Sequence, residues 1–260
     1  MKTTRNILLA FLTVTCLNAK AQNTGQTANL DSIKNRIIEI LKNKDFYYLD
    51  GIKTYNEKIK DCPYYNRLKK PVAINIKDNT VVLTFKKEEM SVSLLEKFKI
   101  NHDYIVYFVP PAGYGWDKSG LIWGNLLILE YSERPELIQL LNKYRFNYYW
   151  GDFDKTVKDY HSLTIKPAIT EELRKYIVQA NAMNEKKNYP SAMNLYIKVI
   201  DTNPFAYPAA YFNLALIAAQ TENYVYATVN MKKYLLLVPE AEDARAAQDK
   251  IYEWELELEK

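Results

Sequence analysis

The stretch NYPSAMNLYIKVIDTNP, residues 188–204, is written again in the same frame as NYVYATVNMKKYLLLVP, residues 223–239. Aligned at this offset of thirty-five, Asn188 matches Asn223, Tyr189 matches Tyr224, Ala192 matches Ala227, Tyr196 matches Met231 and Pro204 matches Pro239. Upstream the match continues through Tyr176 with Tyr211 and Ala180 with Ala215. Small residues at Ala180 and Ala192 let two antiparallel helices approach closely. The bulk of Tyr189 and Tyr196 fills the space beside them, and Pro204 ends the second helix. Such a helix hairpin cannot bury its apolar face alone, so a second copy stacks on the first.

Small residue in the first helix, aromatic before the second, Ala within it and a closing Pro: this pattern resembles the tetratricopeptide repeat. The resemblance covers residues 171–239, with units 35 apart against a usual 34, and the extra residue falls in FAYPAA between Pro204 and Tyr211. Ala180 and Ala215 stand where the family prefers Gly, and Gln179 where it prefers Leu. The resemblance implies a groove lined by inward positions of each first helix, here Arg174, Ile177, Asn181, Phe212, Asn213, Leu216 and Gln220, that holds another protein or peptide. Asn181 and Asn213 fall where one branch of the family holds a peptide's terminal carboxylate. The cations of that branch are replaced by Ile177, Asp243 and Ala247, so no carboxylate clamp is expected. The groove is expected to be apolar instead, centred on Ile177, Phe212 and Leu216.

After Pro239, the residues Ala244, Ala247, Ile251, Trp254 and Leu258 recur at helical spacing over a charged back, the pattern of a helix capping the last repeat. Residues 136–167, with Phe153 and Pro167, could be a further, degraded unit.

Ahead of the repeats the period changes. Leu30, Ile33, Ile37, Ile38, Ile40 and Leu41 predict an amphipathic helix capped near Asn29 or Asp31. Val72, Ile74 and Ile76, then Val81, Leu83 and Phe85, alternate with polar residues around Asp78-Asn79 and predict a β-hairpin. The runs Tyr104–Val109 and Leu121–Tyr131 predict further strands on either side of the loop PPAGYGWDKSG, and Pro135 opens another helix. The fold class is therefore α+β: an antiparallel-sheet domain with flanking helices over residues 30–165, loosely PH-like in element order, then an all-α array over residues 169–260.

The first twenty-one residues carry Lys2 and Arg5, an apolar run from Ile7, and Asn18-Ala19-Lys20-Ala21, the form of a secretory signal peptide. Residues 22–29 read as a flexible leader. Export to the periplasm or cell envelope is expected, with a lipoprotein anchored at Cys16 as the alternative. Losing Lys2, Arg5, Lys20 and no acid takes the formal charge from +4 to +1, which gives no electrostatic reason to expect nucleic acid. The apolar runs are too short for an integral membrane span. Cys62 is left without a disulfide partner.

His102 and His161 lack metal-ligand spacing, and the sequence contains no hydrolase, zincin or nucleotide fingerprint. No metal, cofactor or enzymatic activity is therefore expected; a hydrolase would need a carboxylate pair such as Asp152 and Asp154. The glycine-rich loop is followed by a strand-like run and not a helix, which argues against a phosphate cradle. Its Tyr114 and Trp116 form a secondary contact candidate, and the Tyr/Trp clusters leave glycan binding as the alternative function.

Overall fold

The computed structural model describes residues 30–42, 46–49, 65–68, 71–86, 89–95, 98–101, 104–109, 125–130 and 135–259. The expected signal peptide and leader, Cys16, Cys62, His102, Tyr114 and Trp116 lie outside them. The described residues form two compact units that divide between Tyr144 and Arg145.

The first unit is α+β. Helix α1 (Leu30–Leu41) precedes β1 (Phe46–Leu49), β2 (Tyr65–Leu68), β3 (Ala73–Lys77), β4 (Thr80–Thr84), β5 (Glu89–Ser93), β6 (Phe98–Asn101), β7 (Tyr104–Val109) and β8 (Asn125–Glu130). One sheet runs β2-β1-β8-β7-β6 and a second runs β3-β4-β5, all pairs antiparallel. The single curved sheet of the sequence reading is thus two sheets, because the predicted hairpin recruits β5 and not the long strands. In that hairpin Ile74 pairs with Leu83 and Ile76 with Val81, and Asp78 makes the turn with φ 52°. An aspartate tolerates this left-handed conformation because its short side chain bonds locally. The core gathers Ile33, Ile37 and Ile40 of α1 with Val81, Leu83 and Val92. Helix α2 (Pro135–Trp150) adds Leu137, Leu141 and Tyr144, and the Tyr144 hydroxyl donates to Asn79 Oδ1 at 2.7 Å, tying the helix to the hairpin turn.

The second unit is helical: the end of α2, then α3 (Phe153–Ser162), α4 (Glu171–Glu185), α5 (Tyr189–Thr202), α6 (Ala209–Gln220), α7 (Tyr224–Leu237) and α8 (Ala244–Leu258). Helix α4 packs on α5, α5 on α6, α6 on α7 and α7 on α8. The four alanines singled out by the alignment, Ala180, Ala192, Ala215 and Ala227, are all 0% exposed, as close helix approach requires.

The thirty-five-residue copying extends to the hydrogen bonds. Helix α4 ends with Lys187 at φ 57° and α6 ends with Glu222 at φ 58°. Lys187 N donates to Asn184 O and Asn188 N to Met183 O, both at 2.8 Å; Glu222 N donates to Ala219 O at 2.9 Å and Asn223 N to Ala218 O at 2.8 Å. Both ends are Schellman motifs, with a non-glycine residue in the left-handed position. The asparagine that completes each motif also caps the next helix: Asn188 Oδ1 accepts from Ser191 N at 3.3 Å, and Asn223 Oδ1 from Tyr226 N at 3.4 Å.

The unit boundary falls earlier than the expected residue 165. Phe146, Tyr149 and Trp150 of α2 and Phe153 and Tyr160 of α3 share a core with α6, α7 and α8. The residues of the possible further unit do form a helix–turn–helix through Gly151 (φ 56°), but the repeat helix on which α3 packs is α7.

Candidate protein-interaction surface

Helix α6 is apolar nearly all round because it is packed on two sides. Ala210, Leu214 and Ile217, three and four residues apart, join the core of the first hairpin; Tyr211, Ala215 and Ala218, one position on, join that of the second. Phe212, Asn213, Leu216 and Gln220 occupy what remains of the helix circumference.

These are four of the seven expected groove residues. Asn213, Phe212 and Leu216 are half-buried, and Gln220 is exposed. Phe212 leans on Tyr234 of α7, ring centroids 5.1 Å apart and edge to face, and the Tyr234 hydroxyl donates to Asp243 Oδ1 at 2.7 Å. Burial first, and then this bond, raises the Tyr234 hydroxyl pKa above its usual range.

On α4, Arg174 is exposed, with Glu171 as its neighbour at 3.9 Å. Ile177 corrects the sequence reading. At 9% exposure it lies in the core shared by α4, α5 and α6, so it joins one hairpin to the next and does not floor a trough. The exposed apolar side chain on that stretch is its neighbour Val178, at 58%.

One asparagine is bonded to a buried tyrosine and the other lies near it. Tyr196 of α5 is buried, and its hydroxyl donates to Asn181 Oδ1 at 2.5 Å. Burial pushes the Tyr196 hydroxyl up to about 12, opposed by the nearby Asn213 amide. Asn181 comes from the first hairpin and Asn213 from the second, so the hydroxyl sits at the junction of the two hairpins. The Asn181 amide thereby has a partner within the chain.

The opposite side of the second hairpin is covered. Helix α7 buries residues on every side, among them Val225, Thr228, Val229, Asn230 and Met231. Tyr149 of α2 packs on Tyr226 edge to face at 4.7 Å, and Lys232 and Lys233 of α7 lie over the rings of Phe146 and Phe153. Lys233 Nζ also donates to the Tyr149 carbonyl at 2.6 Å, and burial lowers its pKa to about 8. Arg145 Nη2 donates to Asn223 Oδ1 at 2.8 Å, while the buried Arg145 Nε, Asn147 Oδ1 and Thr228 Oγ1 have no hydrogen-bond partner among the described residues.

Sequence reasoning missed this covering. Its signal was composition: α7 carries Thr228, Asn230 and two lysines without one clean polar face, as expected of a helix packed all round.

A cavity of about 510 Å³ opens where α6 begins and α7 ends. Its walls include Tyr160, Tyr207, Tyr234, Val238, Pro239 and Glu240. His161, beside it, is exposed and sits 2.8 Å from the Leu236 carbonyl, so its Nε2 carries the proton. Asp154 accepts from the Trp150 indole at 3.2 Å. Among the described residues, no group of three or more His, Cys, Asp or Glu is placed to hold a metal, and no helix is long and apolar enough to cross a membrane.

No protein-family model, curated protein or solved structure matches the chain.

Proposed function

We propose that the chain is an exported protein of the bacterial cell envelope, that residues 169–260 form a tetratricopeptide-like array, and that this array holds another protein or peptide without carrying out chemistry. The observation that carries this reading is the thirty-five-residue correspondence of Lys187 with Glu222 and of Asn188 with Asn223, kept in backbone conformation and hydrogen bonding. A repeat built this way stacks and presents a continuous inner face. The surface left for a partner is the strip of Arg174, Val178, Asn181, Asn213, Leu216 and Gln220. With Ile177 in the core and Asn181 bonded to Tyr196, this strip offers apolar and amide contacts with Arg174 as its single charge, and not the set of cations that clamps a terminal carboxylate.

Charge placed on the strip tests the reading. Leu216→Glu combined with Gln220→Glu is expected to weaken capture of the native envelope partner at least tenfold, equivalent to about 1.4 kcal/mol; because Leu216 packs against the core of the second hairpin, capture is compared at a temperature where circular dichroism shows the variant folded. Glu253→Lys, on the exposed side of α8, is expected to leave capture intact. Equal capture by both variants would contradict the reading.

A further inference from the structure

The aromatic cavity at the end of the second hairpin is separate from the inner strip. Tyr160 of α3, Tyr207 ahead of α6 and Tyr234 of α7 wall it, with Val238 and Pro239 behind them and Glu240 at its edge. The wall residues include no cation. Glu240 is exposed and makes no ion pair among the described residues. Asp243 adds a second carboxylate, bonded to the hydroxyl of the Tyr234 wall.

Two further features set the sign of the charge this cavity accepts. Helix α7 ends here, and its terminal carbonyls carry partial negative charge. Helix α6 begins here as well and brings the Ala209 N–H, but Pro208 has no N–H, and the amides of Ala210 and Tyr211 are turned back onto Tyr207 O and Pro208 O at 2.9 and 3.0 Å, so the carboxylate of Glu240 is the one full charge in the lining. Lys166, which is not one of the lining residues, already places a cation on the Tyr160 ring. Lys166 Nζ lies 3.7 Å from the centroid of the Tyr160 ring and donates to the Tyr160 carbonyl.

We propose that this cavity receives an arginine side chain of the bound partner. A guanidinium is flat and can lie against a tyrosine ring while pairing with a carboxylate; the half-buried Tyr207 and the exposed Glu240 offer that combination, with Tyr160 and Tyr234, each 7% exposed, backing the hollow. The hollow is largely open to solvent, and its volume of about 510 Å³ leaves room for more than an ammonium tip. That the arginine belongs to a partner polypeptide rests on the array reading; the chemistry of the cavity does not.

The experiment is a titration of the full chain, tyrosine rings labelled with carbon-13, with N-acetyl-arginine amide followed by NMR. The expected result is saturable binding near a Kd of about 1 mM, as befits one small side chain, with ring signals of Tyr160, Tyr207 and Tyr234 shifting together. Glu240→Gln and, separately, Tyr207→Leu are expected to weaken binding about threefold to tenfold. N-acetyl-citrulline amide, of the same shape without the charge, is expected to bind about tenfold more weakly. Arginine amide that fails to saturate, or citrulline amide that binds equally well, overturns the proposal. Loss of partner capture in Leu216→Glu/Gln220→Glu without arginine-amide binding would leave the array reading standing and remove this one.

Discussion

The ammonium of Lys233, on α7, lies 2.6 Å from the carbonyl oxygen of Tyr149, in the last turn of α2. A cation of the second hairpin thereby donates to a carbonyl in the last turn of α2, where carbonyls run short of helical partners. The relation is returned at the other end, where the His161 imidazole of α3 meets the Leu236 carbonyl in the last turn of α7. These reciprocal contacts explain how the segment from Arg145 to Ser162 is held on the array although it lies outside the repeat register.

Lys233 gives the helical unit a distinctive pH dependence. Burial lowers its pKa to about 8, whereas the unfolded chain titrates near 10.5. Between those values the unfolded state binds more protons, so this group's contribution to stability rises with pH across that window. Tyr196, Tyr211 and Tyr234, whose hydroxyl pKa values are raised, act in the opposite direction above about pH 10. Urea denaturation at pH 7, 8, 9 and 10 is expected to show a gain for the natural chain over Lys233→Met as pH rises from 8. Parallel curves would refute the assignment.

Lys187 and Glu222 pay a conformational cost that glycine would not. A left-handed backbone costs an ordinary residue roughly 1–2 kcal/mol, part of which glycine returns as unfolded-state entropy. Lys187→Gly and Glu222→Gly are each expected to stabilise the chain by about 0.5–1 kcal/mol in chemical denaturation, and equally, because the two turns are copies. A loss of stability in either would mean that its turn is held by contacts of the side chain.

The junction between repeats depends on the Tyr196 hydroxyl. Tyr196→Phe keeps the ring that fills the first hairpin and removes the hydroxyl that donates to Asn181 and lies near Asn213. A cost of about 1 kcal/mol is expected for the lost Asn181 bond. Amide exchange in α4 and α6 should quicken more than in α8. A cost confined to the α4–α5 hairpin would show that the hydroxyl does not join the two units.

The helices α4 to α7 could be read from sequence because their signals are local and written twice: small residues where helices touch, asparagine caps, and prolines beyond the ends. Ile177 was misplaced because the faces toward the groove and toward the next hairpin are only about 100° apart on a helix, within the width of an apolar stripe. The covering of α7 was illegible for another reason. It depends on Tyr149 and Lys233 meeting across eighty-four positions, and no local pattern encodes that. In the first unit the alternating runs located β3 and β4 and the apolar runs located β7 and β8, but short strands such as β1 and β2 carry too few residues for a period to show.

Site-specific photocrosslinking in the intact envelope tests the central claim most directly. A benzophenone side chain would replace Leu216 or Gln220 on the inner strip, with Glu253 on the exposed side of α8 as the control. The account predicts one discrete adduct from positions 216 and 220, lost when Leu216→Glu accompanies the probe at 220, and none from 253. Adducts at 253 alone, or the same adducts from all three positions, would contradict it.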